Sequence, residues 1–169
     1  LWPIPPPGLQ PGQDKTRRGE QMSTTGTGNV GEARVALELA KRGYEVHMIG
    51  GTGVDLLAIM PGVGSWTVQV KTTSGTGPKG SRKWQPGAKS RNNPAADVYV
   101  FHSLARDAFH IIRSDVLGEE MRKGHDDYVG RAETEQKRQQ RLNTTHAGWI
   151  DYEDRWLDRW DLLAEESPE

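Results

Sequence analysis

The sequence predicts an α/β domain with a mixed central sheet and helical additions at its carboxy-terminal end. Three observations lead there. Apolar residues recur at three- and four-residue spacing over 29–42, segments rich in Val, Ile and aromatic residues follow one another from 44 to 113, and polar or helix-spaced stretches run on from 114. The chain has 169 residues, which suits one domain with a core of its own. The expected organisation is a leader over 1–28 and a single domain over 29–169, with a core at 29–113 and a helical extension at 114–169.

Each element has its own reason. Residues 1–28 hold five of the ten prolines and show no periodicity, the composition of a flexible leader, and Met22 within it is a candidate natural start. Asn29 to Arg42 reads as a helix whose stripe of Val30, Ala33, Ala36, Leu37 and Ala40 should pack on a sheet, with Gly43 as its stop. Tyr44 to Ile49 alternates apolar Tyr44, Val46 and Met48 with Glu45 and His47, as in a strand with one face more exposed. Val54 to Met60 and Trp66 to Thr72 form a hairpin, because Pro61, Gly62, Val63 and Gly64 between them supply turn chemistry. Residues 73–94, rich in glycine, proline and basic side chains, read as loop. Asp97 to His102 and Ala108 to Arg113 are two more strands joined by a turn at 105–107, and Ser114 is placed to cap a helix running to Lys123. Residues 131–142 read as a polar helix, and Asp151 to Ala164 as a helix aligning Tyr152, Trp156, Trp160 and Leu163 on one face.

Composition removes several classes of function. No stretch approaches the apolar length of a membrane span, and the amino terminus lacks the basic-then-apolar pattern of a signal peptide, so a soluble, cytoplasmic protein is expected. The chain has no cysteine, which excludes disulfides, thiolate nucleophiles and Cys-based zinc sites. His47, His102, His110, His125 and His146 show no metal-ligand spacing and read as structural. The net charge of −1 hides an asymmetry: residues 71–91 carry six cations and no acid, whereas residues 151–169 carry eight acids against Arg155 and Arg159. A local basic stretch attracts phosphate even on a neutral protein.

The chemistry concentrates in the hairpin. Strand alternation puts Trp66, Val68 and Val70 on one face of its second arm and Thr67, Gln69 and Lys71 on the other. A short loop centred between Gly62 and Val63 sets Asp55 opposite residues 69–71, where opposed Cβ atoms are about 4.5–5.5 Å apart. A hard cation such as Mg²⁺ takes a few protein oxygens and keeps room for water and phosphate. Asp55 offers a carboxylate, Gln69 an amide oxygen and Val70 a carbonyl, while Lys71 can hold an attacking water or steady developing charge. Glu32, at the border of the helix stripe, can reach the sheet edge.

Gly31-Glu32 on the first helix, Val54-Asp55-Leu56-Leu57-Ala58, and Val68-Gln69-Val70-Lys71-Thr72 resemble the PD-(D/E)XK, or restriction-endonuclease-like, nuclease superfamily over roughly residues 29–113. The resemblance implies an αβββαβ core in which Asp55 is the main metal ligand, Gln69 the variable second ligand, Lys71 the catalytic lysine and Glu32 the helix acid. Val54 stands in place of the family's proline, and Gln69 in place of its acid makes a QXK form similar to the Mrr-like branch. The implied activity is hydrolysis of DNA phosphodiester bonds by an endonuclease using Mg²⁺ or Mn²⁺. The alternative is a catalytically inactive nuclease-fold protein that binds DNA or a protein partner, and the neutral Gln69 keeps it open.

Competing readings attach to several of these residues. Asn29-x-x-Glu32 also resembles a capping box, which would give Glu32 a purely structural task. Gly26-Thr27-Gly28-Asn29-Val30-Gly31 matches G-x-G-x-x-G, but no strand precedes it, so a dinucleotide loop lacks its context. Lys79, Arg82, Lys83, Trp84, Lys89 and Arg91 are expected to line a DNA groove, with Trp84 stacking on a base, against the alternative of a solvated loop. Lys137, Arg138 and Arg141 read as a solvated helix face. Trp149, Trp156 and Trp160 read as core or as the surface of a homodimer formed through the Trp-rich carboxy-terminal region.

Overall fold

A computed structural model describes residues 24–50, 53–77, 82–87, 91–92, 94–143, 148–151 and 153–164. Their elements are α1 (Thr24–Lys41), β1 (Glu45–Met48), β2 (Leu56–Met60), β3 (Gly64–Thr73), β4 (Lys83–Trp84), β5 (Val98–Ser103), β6 (Ala108–Arg113), α2 (Ser114–Gly130), α3 (Glu135–Leu142) and β7 (Trp149–Ile150), with a 3₁₀ turn at Trp160–Leu163. Five strands make one mixed sheet in the order β1-β2-β3-β5-β6, and β4 pairs with β7 in a separate ribbon. Only the β3–β5 pairing is parallel within the large sheet; its other pairings are antiparallel. This is the α/β class with a mixed sheet that the sequence predicts.

The sheet separates two apolar layers. On one face, Trp66, Val68, Val70, Val98, Val100 and Ile111 pack with Val35 and Leu39 of α1. On the other, Tyr99, Phe101 and Ile112 pack with Leu117 and Met121 of α2 and with Trp84 and Trp149 of the small ribbon. Strand alternation produces both layers from adjacent residues, as in Val98 and Tyr99. Burying each Leu, Ile or Val fully contributes about 1.5–3 kcal/mol.

Helix α1 differs from expectation in its start and in its face. It begins at Thr24, inside the segment read as a leader, and residues 1–23 lie outside the described residues. The face on the sheet is Thr27, Gly31, Val35 and Leu39, whereas Val30 and Leu37 from the expected stripe are 39% and 47% exposed. Both stripes have helical spacing. The true one carries a threonine and a glycine in place of hydrophobes, so it gives the weaker apolar signal although it makes the closer approach. Gly43, at φ 90°, closes the helix with its N–H on the Ala40 carbonyl.

The carboxy-terminal additions also depart from the periodicity. Ser114 is the first residue of α2 and not its cap, since Arg113 takes the flanking position without a side-chain bond, and the helix continues past Lys123 to Gly130. Residues 153–164 do not form the expected helix. Asp154 and Asp158 adopt φ values of 53° and 51°, a left-handed geometry that breaks helical progression, and Leu157 bridges to His110. This segment runs along the outer edge of β6: the Ile111 N–H donates to the Trp156 carbonyl and the Asp158 N–H to the Phe109 carbonyl. A sheet edge is thereby covered. Tyr152 of the expected stripe lies outside the described residues. Trp149 and Trp160 are 5% and 7% exposed within this chain, so these two tryptophans belong to its core.

No helix among the described residues is long and apolar enough to cross a membrane.

Candidate active site

The site is built where β2 and β3 part. Their ladder ends at the Leu56–Val68 pair, and Asp55 continues by donating its N–H to the Val68 carbonyl at 3.0 Å. In place of the next ladder bond, the Asp55 carboxylate substitutes for backbone: Val70 N–H donates to Asp55 Oδ2 at 2.7 Å. A charged acceptor makes this bond worth about 1.5–3 kcal/mol. In an extended strand the N–H and C=O of one residue point to the same edge. The Val70 carbonyl therefore faces the side on which Asp55 sits.

Extending the register sets Asp55 opposite Gln69, one residue before the Leu56–Val68 pair. Gln69 and Lys71 share a face, as their β5 partners Tyr99 and Phe101 do. Gln69 is 7% exposed, and one orientation of its amide satisfies both ends: the nitrogen donates to the Gly53 carbonyl at 2.7 Å, and the oxygen accepts from Lys71 Nζ at 3.0 Å. Gly53 itself has φ 97°, and a Cβ there would lie 2.8 Å from the Ala95 Cβ, so no other residue turns the chain into Asp55 in this way. A nearby acid, Asp97, is already engaged, accepting from Thr67 N–H and Oγ1 at 2.8 and 2.6 Å.

Glu32 arrives from the other side of the sheet. At Gly31 the helix lies so close to the end of β3 that an added Cβ would sit 1.7 Å from Thr72 Oγ1 and 2.8 Å from Thr72 Cβ. This glycine sets the depth of α1, and the next residue is Glu32. Burial raises the Glu32 pKa, the negative charge of Asp55 raises it further, and Lys71 opposes the rise. The capping-box reading of Glu32 fails, because Asn29 lies inside α1 and not at its cap. The G-x-G-x-x-G stretch falls within the same helix, so it forms no phosphate loop.

Thus Glu32, Asp55, Gln69, Val70 and Lys71 come together as the sequence expects. Among the described residues no three His, Cys, Asp or Glu side chains cluster as a metal site, so two carboxylates are the anionic complement here. The donors are nonetheless of the type a hard cation takes: carboxylates from Glu32 and Asp55, the Gln69 amide oxygen and the Val70 carbonyl. The repulsion between Glu32 and Asp55 is what a cation would relieve.

The basic segment is only partly where expected. Trp84 is 2% exposed, and its indole N–H donates to the His102 carbonyl at 3.2 Å, so it is core and cannot stack on a base. Its flanking position in a two-residue strand paired with Trp149 explains the burial. Arg82 is drawn to the carboxy-terminal segment, donating to Asp154 Oδ2 at 2.7 Å. Lys83 is exposed and Arg91 half-buried, both on a cleft beside α2, while Lys79 and Lys89 lie outside the described residues. No hydrophobic or charge pattern in the sequence marks the packing roles of Gly31 and Gly53, or the place of Lys123 on α2 and of Arg131 just after it. The two glycines act through steric absence, and Arg131 flanks the end of α2 at Gly130, beyond the Lys123 end that the periodicity predicts.

No protein-family model matches the sequence, and no curated protein matches it. Among solved structures the chain is similar to a bacterial homing endonuclease, I-Ssp6803I, with a TM-score of 0.54 and 16% identity, over 84% of this chain and 91% of that one. At that identity the likeness is one of fold. The architecture is nuclease-like, an α/β unit around a five-stranded mixed sheet.

Proposed function

We propose that this chain is a metal-dependent DNA endonuclease with a PD-(D/E)XK-type site in the QXK form similar to the Mrr-like branch. The observation that carries the reading is the convergence of Asp55, Gln69 and Lys71 on one side of the β2–β3 fork, with Glu32 delivered beside them. The endonuclease-like fold supports DNA as the substrate. Glu32, Asp55, the Gln69 amide and the Val70 carbonyl would hold Mg²⁺ or Mn²⁺, which supplies Lewis-acid stabilisation and a more acidic bound water when present. Asp55 is oriented for that task by the Val70 N–H. Gln69 accepts from Lys71 Nζ at 3.0 Å, so the ammonium is preorganised to donate a hydrogen bond to the oxygen of an attacking water or to face the charge developing on a phosphate.

The test is plasmid and short-duplex cleavage with Mg²⁺ or Mn²⁺. Asp55→Ala and Lys71→Ala each should lower the rate by about 10²–10⁴-fold, the range expected for losing one positioned catalytic group. Cleavage indifferent to both substitutions ends the assignment. A second reading, an inactive nuclease fold that binds DNA or a protein, is favoured by one observation: the neutral Gln69 amide occupies Lys71 and leaves two carboxylates at the site. Salt-sensitive DNA binding without cleavage in either metal selects it.

A further inference from the structure

A cleft of about 610 Å³ opens between α2 and the β4–β7 ribbon. Lys83, Arg91, Lys123 and Arg131 line it, and among the described residues no acid pairs with Lys83, Lys123 or the Arg91 guanidinium. Arg131 donates only to the Asp127 backbone carbonyl, at 3.1 Å. Of the other charged groups on the walls, Arg155 and Glu120 neutralise each other at 2.7 Å, which leaves Asp127 alone against four cations. A chain whose net charge is −1 has therefore gathered unpaired positive charge at one place. Such convergence costs free energy unless an anion answers it.

The walls say which anion. Met121 and Trp149 make an apolar floor, and Tyr128, 41% exposed, stands at the side with the Arg141 guanidinium 4.6 Å from its ring centroid. Arg141 also donates to the Tyr128 backbone carbonyl at 2.6 Å, which anchors the guanidinium over one face of the ring and leaves the other face for a base. Cations beside an exposed aromatic ring suit a phosphate joined to a planar base. A volume of this size falls in the range of roughly 300–1,000 Å³ that takes small ligands. A duplex keeps its bases stacked inward and has none to offer Tyr128, whereas an unpaired strand does.

The cleft also lies on the relevant side. Met121 and Trp149 belong to the layer of Tyr99 and Phe101, the β5 partners of Gln69 and Lys71, so cleft and candidate site share one face of the sheet. We propose that this cleft binds an unpaired DNA strand, with phosphates on Lys83, Arg91, Lys123 and Arg131 and a base on Tyr128. The substrate preferred at the candidate site is then DNA with a single-stranded tail or branch. The identity of the polymer rests on the nuclease reading; the cleft's affinity for a single strand does not.

The experiment uses the full chain carrying Asp55→Ala, in EDTA, and follows fluorescence anisotropy of a labelled oligothymidylate and of a blunt duplex. The oligothymidylate should bind more tightly than the duplex. Lys83→Ala and Lys123→Ala should each reduce the slope of log affinity against log salt by about 1. Lys83→Gln with Lys123→Gln should weaken single-strand binding about tenfold or more at low salt. Tyr128→Ala should weaken it with the salt slope unchanged, because it removes stacking and no charge. The lysines are exposed, and thermal melts of each variant confirm that the fold persists. Single-strand affinity unmoved by these substitutions, or a duplex bound as tightly and with the same sensitivities, overturns the proposal. Wild-type protein that cuts no DNA while its cleft variants behave as stated would sink the nuclease reading and leave the cleft standing.

Discussion

Under the proposed function, Glu32 couples chemistry to stability at the scale of a single residue. Its folded-state pKa is raised, first by burial and then by Asp55. A raised carboxyl binds more protons in the folded than in the unfolded state, so its contribution to stability is present at low pH and is lost as pH rises through the folded pKa. At neutral pH the carboxylate is thus a cost to the fold when no cation is present. Glu32→Gln should raise the melting temperature at neutral pH in EDTA, and the gain should shrink towards pH 4. The same substitution should lower cleavage, because it removes one of two carboxylates. A variant that is less stable than the parent at every pH would show that Glu32 is held for packing. Gln69 has the opposite character: it carries no charge, bonds at both ends and restrains Lys71. The two residues divide anionic charge and positional order between them.

At the scale of elements, the site depends on how closely α1 lies on β3. Gly31→Ala adds one methyl group against Thr72, and turning the threonine side chain gives no relief because its Cβ is also within 2.8 Å. The helix must lift, at about 1–3 kcal/mol for overpacking, and Glu32 moves with it. Gly31→Ala should therefore lower both melting temperature and cleavage although it removes no functional group, whereas Gly28→Ala, with nothing within 4 Å, should cost neither. Equal effects from the two would deny Gly31 its role. Much of this region was legible from sequence. The hairpin, the shared face of Gln69 and Lys71 and the position of Asp55 follow from period-two alternation and a short turn, which are local rules. The packing face of α1 was not, since Gly31 and Thr27 carry no hydrophobic signature, and the tertiary contact chose them over Val30 and Leu37. Trp84 was misplaced for a related reason: a basic neighbourhood described its flanks, while its burial depends on Trp149, far away in sequence.

At the scale of the whole molecule, a polar network fastens the carboxy-terminal segment to β6. His110 and Asp151 are both fully buried, and His110 Nδ1 lies 2.9 Å from Asp151 Oδ2. Arg106 and Arg82 grip Asp154 beside them, and Arg106 approaches His110 Nε2 at 3.5 Å. Burial lowers the His110 pKa despite Asp151 and Asp154, and it lowers that of His102 as well. A buried neutral histidine binds fewer protons folded than unfolded, so its stability is lost as pH falls below the ordinary histidine value of about 6.5. The neutral ring donates from Nδ1 to Asp151. Melting temperature should drop between pH 7.5 and 5.5, and His110→Gln should be less stable at pH 7.5 but lose less on acidification. An unchanged slope in that variant would clear His110 of the effect.

The segment held by that network closes both apolar layers: Trp149 belongs to one, Trp160, Leu162 and Leu163 to the other, and Trp156 touches each. The hydroxyl of Tyr44 completes the seal on the Leu163 carbonyl at 2.9 Å. During synthesis, then, a ribosome that has released the whole candidate site, from Glu32 through Lys71, has released a sheet still open on both sides. The pieces of the candidate site exist early on the nascent chain, but the frame that holds them in register is finished only when Leu163 emerges.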